Sequence, residues 1–226
     1  GLSPYSGISK KILHQVKGFE ACGHRVSLCT YSIADNGHRV RMINNEIIED
    51  YGTGKPAAAK RRVSYQCIYR YAVTHQVELI YVRSFHNANP FTIRLFSKLR
   101  KAGIKIAMEI PTYPYDSEYA GFPLVTRLGI QVDKVFRKTL AKHVNAIVTF
   151  SDYHCIFGQR TIQISNGVDF DSIPLKKTVS KNTSVIHLLG VAEVHYWHGY
   201  DRLIEGLGKH NRIFPHRRRY MEIRNA

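Results

Sequence analysis

"ELIYVRSFHNANPFTIRLFSKLRKAGIKIAMEI", residues 78–110, contains two short apolar runs that flank a helical pattern. The runs ELIYVRS and IKIAMEI are rich in β-branched residues, which is typical of strands. Between them, Pro90 is predicted in the first turn of a helix and Gly103 at its end. The expected buried set of this helix is Phe91, Leu95 and Leu99. Strand, helix and strand in this order predict two parallel strands joined by a crossover helix.

The amino-terminal third of the chain continues the alternation of helix and strand. The pattern of SGISKKILHQVKGFEACGH predicts a helix that Ser6 caps and Gly23 ends. Its apolar stripe is Ile8, Ile12, Val16 and Phe19. A strand, RVSLCTYS, follows it, and the polar residues 34–60 are predicted to be irregular. The next predicted helix is RRVSYQCIYRYAVTH, residues 61–75.

The second half of the chain has the same organisation. The long helix TRLGIQVDKVFRKTLAKH is expected to bury Leu128, Val132, Val135 and Leu140. AIVTF, TIQISNGV and SVIHLLGVA are predicted strands, and GYDRLIEGLGKH is a predicted helix. This alternation indicates an α/β fold with a doubly wound, Rossmann-like parallel sheet. In such sheets ligands bind beyond the carboxyl ends of the strands, so the loops at those ends are the candidate sites.

The charge of the chain limits its partners. Its 33 Lys and Arg against 17 Asp and Glu give a net charge of +16, which attracts nucleic acid, anionic lipid or phosphorylated substrates. The basic residues lie in small clusters and no nucleic-acid motif accompanies them, so an anionic membrane leaflet explains them at least as well. The four cysteines form no CxxC pair, and neither an apolar run of membrane-span length nor a signal-peptide pattern is present. A cytoplasmic protein is expected.

The entry loop, SPYSGIS, is the first candidate site. Gly7 lets a ligand approach the backbone closely, and the helix after it directs unpaired N–H groups at an anion. The other interpretation is an ordinary helix start capped by serine. A GxGxxG motif is absent, and YGTGKP is no P-loop because Pro56 replaces the Ser or Thr, so nicotinamide chemistry and P-loop hydrolysis lose support.

The tyrosine loop, EIPTYPYDSEY, is the second candidate site. Carboxylates beside tyrosines suit sugars, whose hydroxyls need acceptors and whose apolar faces stack on aromatic rings. The alternative is a stiff surface loop whose acids cap helices. The candidate residues are Glu109, Tyr113, Tyr115, Asp116 and Glu118.

The turn HYWHGYDRLIEG is the third candidate site. It follows a predicted strand and leads through Gly199 into a helix, as the entry loop does in the first half. His198 and Gly199 are candidate phosphate contacts, with simple packing as the alternative. His195 and His198 have no Asp, Glu or Cys cluster behind them, so no metal site is predicted.

The ordered set SGISKKILHQVKGFEACGHRV, ELIYVRS, KIAMEIPTYPYD, AIVTFSDYHCIFG, TIQISNGVD and WHGYDRLIEGL resembles a family 4 retaining glycosyltransferase of the two-Rossmann-domain (GT-B) architecture. The resemblance covers roughly residues 5–208. It implies an amino-terminal, acceptor-side domain over residues 1–174 without its first strand, a linker over 175–184, and the truncated start of a nucleotide-sugar domain over 185–226. The polarity change after Asp171 indicates a similar boundary independently.

The resemblance implies transfer of a sugar, hexosyltransferase-type, from a nucleotide-diphosphate donor to a glycan or lipid-linked acceptor, with retention of configuration. Gly7 would lie near the diphosphate from the first domain, and His198 and Gly199 from the second. Glu109 and the tyrosine loop would line the acceptor or sugar pocket. Asn166 and Gly167 would form the hinge beside the cleft. No metal or other cofactor is implied, and no catalytic residue is assigned.

Two departures from the family pattern qualify this expectation. The second-domain loop offers Glu193, His195 and His198 where many members carry Arg and Lys, and the chain ends before the family's two-glutamate motif. We therefore expect this chain to be an inactive fragment without measurable affinity for nucleotide sugars. The alternatives are a sugar-nucleotide epimerase or phosphorylase of the same fold, and a basic module that binds nucleic acid or an anionic membrane without catalysis.

Overall fold

A computed structural model describes residues 2, 6–83, 87–116, 121–167, 169, 173 and 199–213 of the chain, with side chains up to residue 209. The chain divides into two compact units, Gly1–Asp169 (unit 1) and Phe170–Ala226 (unit 2). The elements of unit 1 are α1 (Gly7–Ala21), β1 (Cys29–Ile33), β2 (Arg39–Ile43), β3 (Glu46–Asp50), α2 (Gly54–Val63), α3 (Gln66–Thr74), β4 (Leu79–Arg83), α4 (Pro90–Lys101), β5 (Lys105–Ile110), α5 (Leu124–Ala141), β6 (Ala146–Thr149), β7 (Cys155–Ile156) and β8 (Gln159–Gln163). The described element of unit 2 is α6 (Tyr200–Ile213).

The main sheet of unit 1 has five strands in the order β4-β5-β6-β8-β7. β4, β5, β6 and β8 run parallel to their neighbours, and the short β7 runs antiparallel to β8. β6 is buried at every position, as expected for a strand inside a parallel sheet. The fold is therefore α/β with a mixed, mostly parallel sheet that is compatible with a Rossmann-like fold. The predicted strand–helix–strand unit of residues 78–110 is confirmed.

The core of unit 1 lies between this sheet and the helices α4 and α5. Its fully buried members include Leu99, Leu140 and Ile106, and their neighbours are apolar residues of β5, β6 and β7. Leu95 and Leu99 are buried as predicted, whereas Phe91 is 47% exposed and Phe96 occupies the inner position instead.

The ends of α1 and α4 follow the sequence signals. Ser6 accepts a hydrogen bond from the Ser9 amide, 3.4 Å away, at the start of α1. Asn89 and Thr92 form a reciprocal capping box on α4, and Pro90 is the first residue of that helix. Gly23 and Gly103, with φ of +85° and +82°, lie just past the two helix ends. These four predicted boundaries are confirmed.

A second, antiparallel sheet replaces the irregular segment predicted for residues 34–60. β1, β2 and β3 pair in that order, so the strand predicted within RVSLCTYS is not part of the main sheet. Asn44 and Asn45 turn the chain between β2 and β3 with φ of +48° and +71°, values that asparagine tolerates. The single helix predicted over residues 61–75 is two helices, α2 and α3, because the chain is extended at Ser64.

The prediction for the buried face of α5 is wrong at three of its four positions. Leu128, Val132 and Val135 are 57%, 45% and 71% exposed, and only Leu140 is buried. The inner face contains Ile130, Asp133, Leu140 and Ala141 instead. α5 is packed through a stripe that includes a carboxylate, and the more apolar stripe faces outward.

The end of unit 1 and the whole of unit 2 are described only in part. β8 ends at Gln163, and Asn166 and Gly167 follow it as exposed residues outside any strand. In unit 2, α6 confirms the last predicted helix. The predicted strand SVIHLLGVA, the linker and the residues Trp197 and His198 lie outside the described residues.

Candidate functional site

Glu109 has no exposed surface and accepts four hydrogen bonds near the carboxyl end of the parallel sheet. Its Oε1 accepts from Lys11 Nζ at 3.2 Å and from an Arg83 guanidinium nitrogen at 3.1 Å. Its Oε2 accepts from Gln15 Nε2 at 2.8 Å and from the Tyr81 hydroxyl at 2.6 Å. We call these five residues the Glu109 cluster. Two donors therefore bind each of the two carboxylate oxygens, which matches the roughly four hydrogen bonds that an ionised carboxylate can accept.

Three elements bring the cluster together. Arg83 and Glu109 are register partners on the parallel strands β4 and β5, so their side chains emerge on the same face. Tyr81, two residues before Arg83, shares that face. Lys11 and Gln15 are four residues apart on α1 and therefore lie one above the other. The cluster thus ties α1 to the last residues of two central strands.

Aromatic rings contact two members of the cluster, Lys11 and Tyr81. The Lys11 ammonium lies 3.7 Å from the centre of the Phe150 ring, directly after β6. Phe19 makes an edge contact with Tyr81, with ring centres 5.6 Å apart. Ser9 is the only residue of α1 that is fully buried, and Ile12, Val16 and Phe19 are half-buried. The polar and aromatic contacts of the cluster therefore add to a partly buried apolar stripe in holding α1.

The surroundings of Glu109 favour its ionised form. Burial alone raises the pKa of the Glu109 carboxyl, but donation by Tyr81 and Gln15 and the charges of the two cations hold the pKa below its ordinary value. Burial raises the pKa of the Tyr81 hydroxyl, and its bond to Glu109 raises it further. Burial lowers the pKa of the Lys11 ammonium against the opposing pull of Glu109. Glu109 is therefore an ionised carboxylate, and each of its four partners donates a hydrogen bond to it.

The described part of the tyrosine loop packs against its own unit. Tyr113 makes edge contacts with Tyr153 and Phe157, at 4.9 and 5.4 Å between ring centres. Tyr115 is 9% exposed, and its hydroxyl donates to Asp133 Oδ2 at 2.8 Å. The Tyr113–Pro114 peptide bond is cis.

Two residues of α5, Asp133 and Arg137, form hydrogen bonds with the tyrosine loop. Asp133 is 2% exposed and accepts from the Ala88 amide at 2.9 Å as well as from Tyr115. Arg137, one turn later, binds both carboxylate oxygens of Asp116, at 2.7 and 3.2 Å. Donation by Arg137 lowers the pKa of the Asp116 carboxyl. α5 is therefore bonded both to the loop that follows β4, through Ala88, and to the loop that follows β5, through Tyr115 and Asp116.

No family model, curated protein or solved structure matches the chain. In the described residues, no three His, Cys, Asp or Glu side chains are grouped as a metal site would require. None of the described helices combines the length and the apolar character needed to cross a membrane.

The other predicted site residues that the structure describes lie at the ends of helices and strands. Gly7 is the first residue of α1, directly after Ser6, and a Cβ at this position would meet no heavy atom within 4 Å. Gly199 precedes α6 in unit 2, with a φ of +66° that favours glycine. Asn166 and Gly167 lie beyond β8. Glu118 and His198 are outside the described residues.

The four partners of Glu109 were not predicted from the sequence. Of the apolar stripe predicted for α1, Ile8 is 53% exposed, whereas Ile12, Val16 and Phe19 are half-buried. The stripe that contacts the sheet contains Lys11, Gln15 and Phe19, which are spaced four residues apart. That spacing is a helical signal, but two of its members are polar and a search for apolar periodicity passes over them.

Proposed function

We propose that the chain is part of a retaining glycosyltransferase of the GT-B architecture. It would move a hexose from a nucleotide-diphosphate donor to a hydroxyl of a glycan or lipid-linked acceptor, in the synthesis of a cell-surface polysaccharide or glycolipid. The support is the sequence resemblance together with one structural observation. That observation is the attachment of α1, through the buried Glu109 cluster, to the carboxyl ends of β4 and β5.

The start of α1 has the properties of a diphosphate site. The first amides of a helix have no intrahelical acceptor, and the helix dipole adds positive potential there. Among the residues that the structure describes, none lies within 4 Å of a Cβ placed at Gly7, so their packing does not require glycine there. A ligand that approaches the backbone closely would require it.

The proposed sugar transfer needs hydrogen-bond donors that are held in place around the leaving diphosphate. Departure of a nucleotide diphosphate builds negative charge on the leaving phosphate, and donors that are already oriented stabilise this charge without reorganising. Lys11 and Gln15 hold α1 by donating to Glu109, which is ionised at neutral pH. In this proposal Glu109 is a positioning residue, since it is fully buried and its carboxylate accepts from four side chains.

The test is a titration of the ¹⁵N-labelled chain followed by NMR. The probes are pyrophosphate, uridine diphosphate, inorganic phosphate and sulfate at matched ionic strength. We expect the diphosphates, at millimolar concentration, to shift the amides of Gly7 and Ile8 more than sulfate does. Equal shifts with sulfate, or shifts confined to the basic end of α2, would contradict the proposal. A response to inorganic phosphate as large as that to diphosphate would favour a phosphorylase instead.

A nucleic-acid-binding module is the second candidate, because α2 ends in the basic residues Lys60, Arg61 and Arg62. The Arg61 guanidinium lies 4.1 Å from the Tyr31 ring centre, and Arg39 donates to the Tyr31 hydroxyl at 2.6 Å. In the described part of the chain these arginines have no carboxylate partner. Affinity for duplex DNA that falls steeply with salt and is lost in Lys60→Gln/Arg62→Gln would support this candidate.

A further inference from the structure

The outer face of α5 exposes a continuous aliphatic surface. Its five side chains are between 45% and 71% exposed. At about 100° per residue they all fall within an arc of about 100° around the helix. We call this set the α5 surface: Leu124, Val125, Leu128, Val132 and Val135.

The size of the α5 surface indicates an interaction site. Five half-exposed aliphatic side chains on one helix face amount to a patch on the order of a few hundred Å², the size at which exposed apolar patches mark binding surfaces. The inner face of the same helix is already occupied, because Ile130, Asp133 and Leu140 are buried against unit 1. The outward stripe is therefore not needed for the packing of α5.

Basic residues border the α5 surface on one side. Arg127, Lys134 and Lys138 project along that border from the exposed positions of α5, and Lys134 also lies 3.5 Å from Asp116. The acidic residue of α5 is Asp133, which is 2% exposed. The exposed part of the helix is thus aliphatic on one stripe, cationic on the next, and without a carboxylate.

We propose that the α5 surface docks this chain on the headgroup region of an anionic lipid membrane. A helix with an aliphatic stripe and a cationic border lies in the plane of the interface, with its side chains at the acyl boundary and its cations at the lipid phosphates. The inference depends on the geometry of α5 and on the net charge of +16. It does not depend on the sugar-transfer reaction, although an acceptor anchored in lipid would make use of it.

Two other occupants fit the surface less well. A second copy of the chain, docked antiparallel through the same stripe, would bring the two cationic borders together on one side, which like charges oppose, and in a parallel pair the two borders would have no acidic partner on α5. Nucleic acid would meet the cations, but aliphatic side chains give it neither base stacking nor hydrogen bonds. A lipid interface is the partner that uses both stripes.

The experiment is sedimentation of the full chain with phosphatidylcholine vesicles prepared with and without phosphatidylglycerol. We expect binding to the anionic vesicles only. Leu128→Gln/Val135→Gln should lower the partition coefficient by about tenfold to a hundredfold, as two half-buried aliphatic side chains predict. Arg127→Gln/Lys138→Gln should lower it by about fivefold for each cation.

The matched control is Val73→Gln/Phe91→Gln, which replaces two apolar side chains of similar exposure, 45% and 47%, on α3 and α4. This variant should bind like the parent chain. All variants alter exposed positions, and equal far-UV circular dichroism and melting temperatures will show that they fold. A Val132→Trp variant should gain fluorescence quenching by brominated lipid over the parent chain, whose one tryptophan is Trp197.

Distinct outcomes would overturn the inference. Binding that survives Leu128→Gln/Val135→Gln but is lost in Lys60→Gln/Arg62→Gln would place the contact on α2. A dimer in solution that Leu128→Gln/Val135→Gln dissociates would assign the surface to a second copy. Competition by duplex DNA that depends on the aliphatic pair would assign it to nucleic acid. Vesicle binding without a diphosphate effect at Gly7 would leave this inference standing and remove the proposed function.

Discussion

Replacing Glu109 with glutamine tests whether the Glu109 cluster holds α1 on the sheet. The glutamine side chain has nearly the same shape, but one carboxylate oxygen becomes an NH₂ group that donates. If the new NH₂ group faces Lys11 and Arg83, these two cationic donors meet another donor. If it faces Gln15 and Tyr81, the Gln15 amide and the Tyr81 hydroxyl can turn to accept, and Lys11 and Arg83 then bond a neutral oxygen. Lys11 and Arg83 also lose the negative charge that they share at 3.2 and 3.1 Å.

The expected loss of stability is about 3 kcal/mol. A hydrogen bond to a charged group contributes about 1.5–3 kcal/mol, and removing one partner of a buried ion pair costs about 3–5 kcal/mol. We use the low end of the range for a buried ion pair because the side chains of Lys11 and Arg83 are each 23% exposed and can be hydrated again when the carboxylate charge is removed. In a unit of this size that loss lowers the melting temperature by about 6–12 °C.

Urea unfolding followed by far-UV circular dichroism measures this loss. Glu78→Gln is the matched control, because Glu78 is exposed just before β4 and should change stability by less than about 0.5 kcal/mol. A loss below about 1 kcal/mol in Glu109→Gln, with an unchanged dependence on urea, would refute the assigned role of the cluster.

The pH dependence gives the same reasoning an independent test. The pKa of Glu109 is lowered in the folded chain, while an unfolded glutamate titrates near about 4.3. The stability from ionised Glu109 is therefore present above that pH and is lost as the pH falls through the folded pKa. The difference between wild type and Glu109→Gln should be largest above about pH 5 and smaller near about pH 3. A difference that stays constant over this range would show that the carboxylate charge contributes nothing.

Three further changes probe other parts of unit 1. Asp133→Ala removes the acceptor of both donors to this buried group, the Ala88 amide and the Tyr115 hydroxyl, so thermal melting should show a loss of about 2 kcal/mol or more. Asn89→Ala removes the capping box of α4 and should lower the free energy of unfolding by about 1 kcal/mol or more, which urea unfolding would show as a lower midpoint at an unchanged slope. Gly103→Ala forces a side chain into a φ of +82° and should cost about 1–2 kcal/mol, whereas Gly18→Ala inside α1 should add about 0.5–1 kcal/mol. Melting shifts of the same sign for the two glycine changes would contradict this assignment of their backbone conformations.

The main sheet could be predicted because its signals are local. β4, α4 and β5 each carry their own pattern, and Asn89, Pro90 and Gly103 mark the helix ends through backbone chemistry that needs no tertiary partner. The β2–β3 hairpin also had a local signal, since Asn44–Asn45 separates two alternating segments. The prediction of an irregular segment gave Gly52, Gly54 and Pro56, which follow that hairpin, too much weight.

The buried face of α5 could not be predicted from periodicity. A helix with two apolar stripes does not reveal which stripe the rest of the chain covers. The stripe of Leu128 and Val135 is the more apolar, but the stripe with Asp133 is buried because two donors outside α5, Ala88 and Tyr115, satisfy the carboxylate. Those donors come from loops at different places in the sequence, and only the tertiary structure joins them.

The candidate site could be predicted only in part, because most of its contacts join residues that are distant in the sequence. Gly7 and Glu109 stand out in the sequence through helix-start chemistry and through a carboxylate at a strand end. The partners of Glu109 come from α1 and β4, which are distant in sequence, and no local pattern links them. Tyr113 and Tyr115 stand out for their composition, while their contacts with Phe157 and Asp133 depend on the packing of α5.

The polar attachment of α1 has a consequence for any function at its amino terminus. A helix held by an apolar face alone is positioned by shape complementarity, because apolar contacts have no direction. α1 is held in addition by donors of fixed geometry that converge on one carboxylate, and Glu109 is itself fixed on β5. The position of Gly7 is therefore set relative to the strand ends by directional bonds, which is the arrangement that recognition of an anion at a helix start requires.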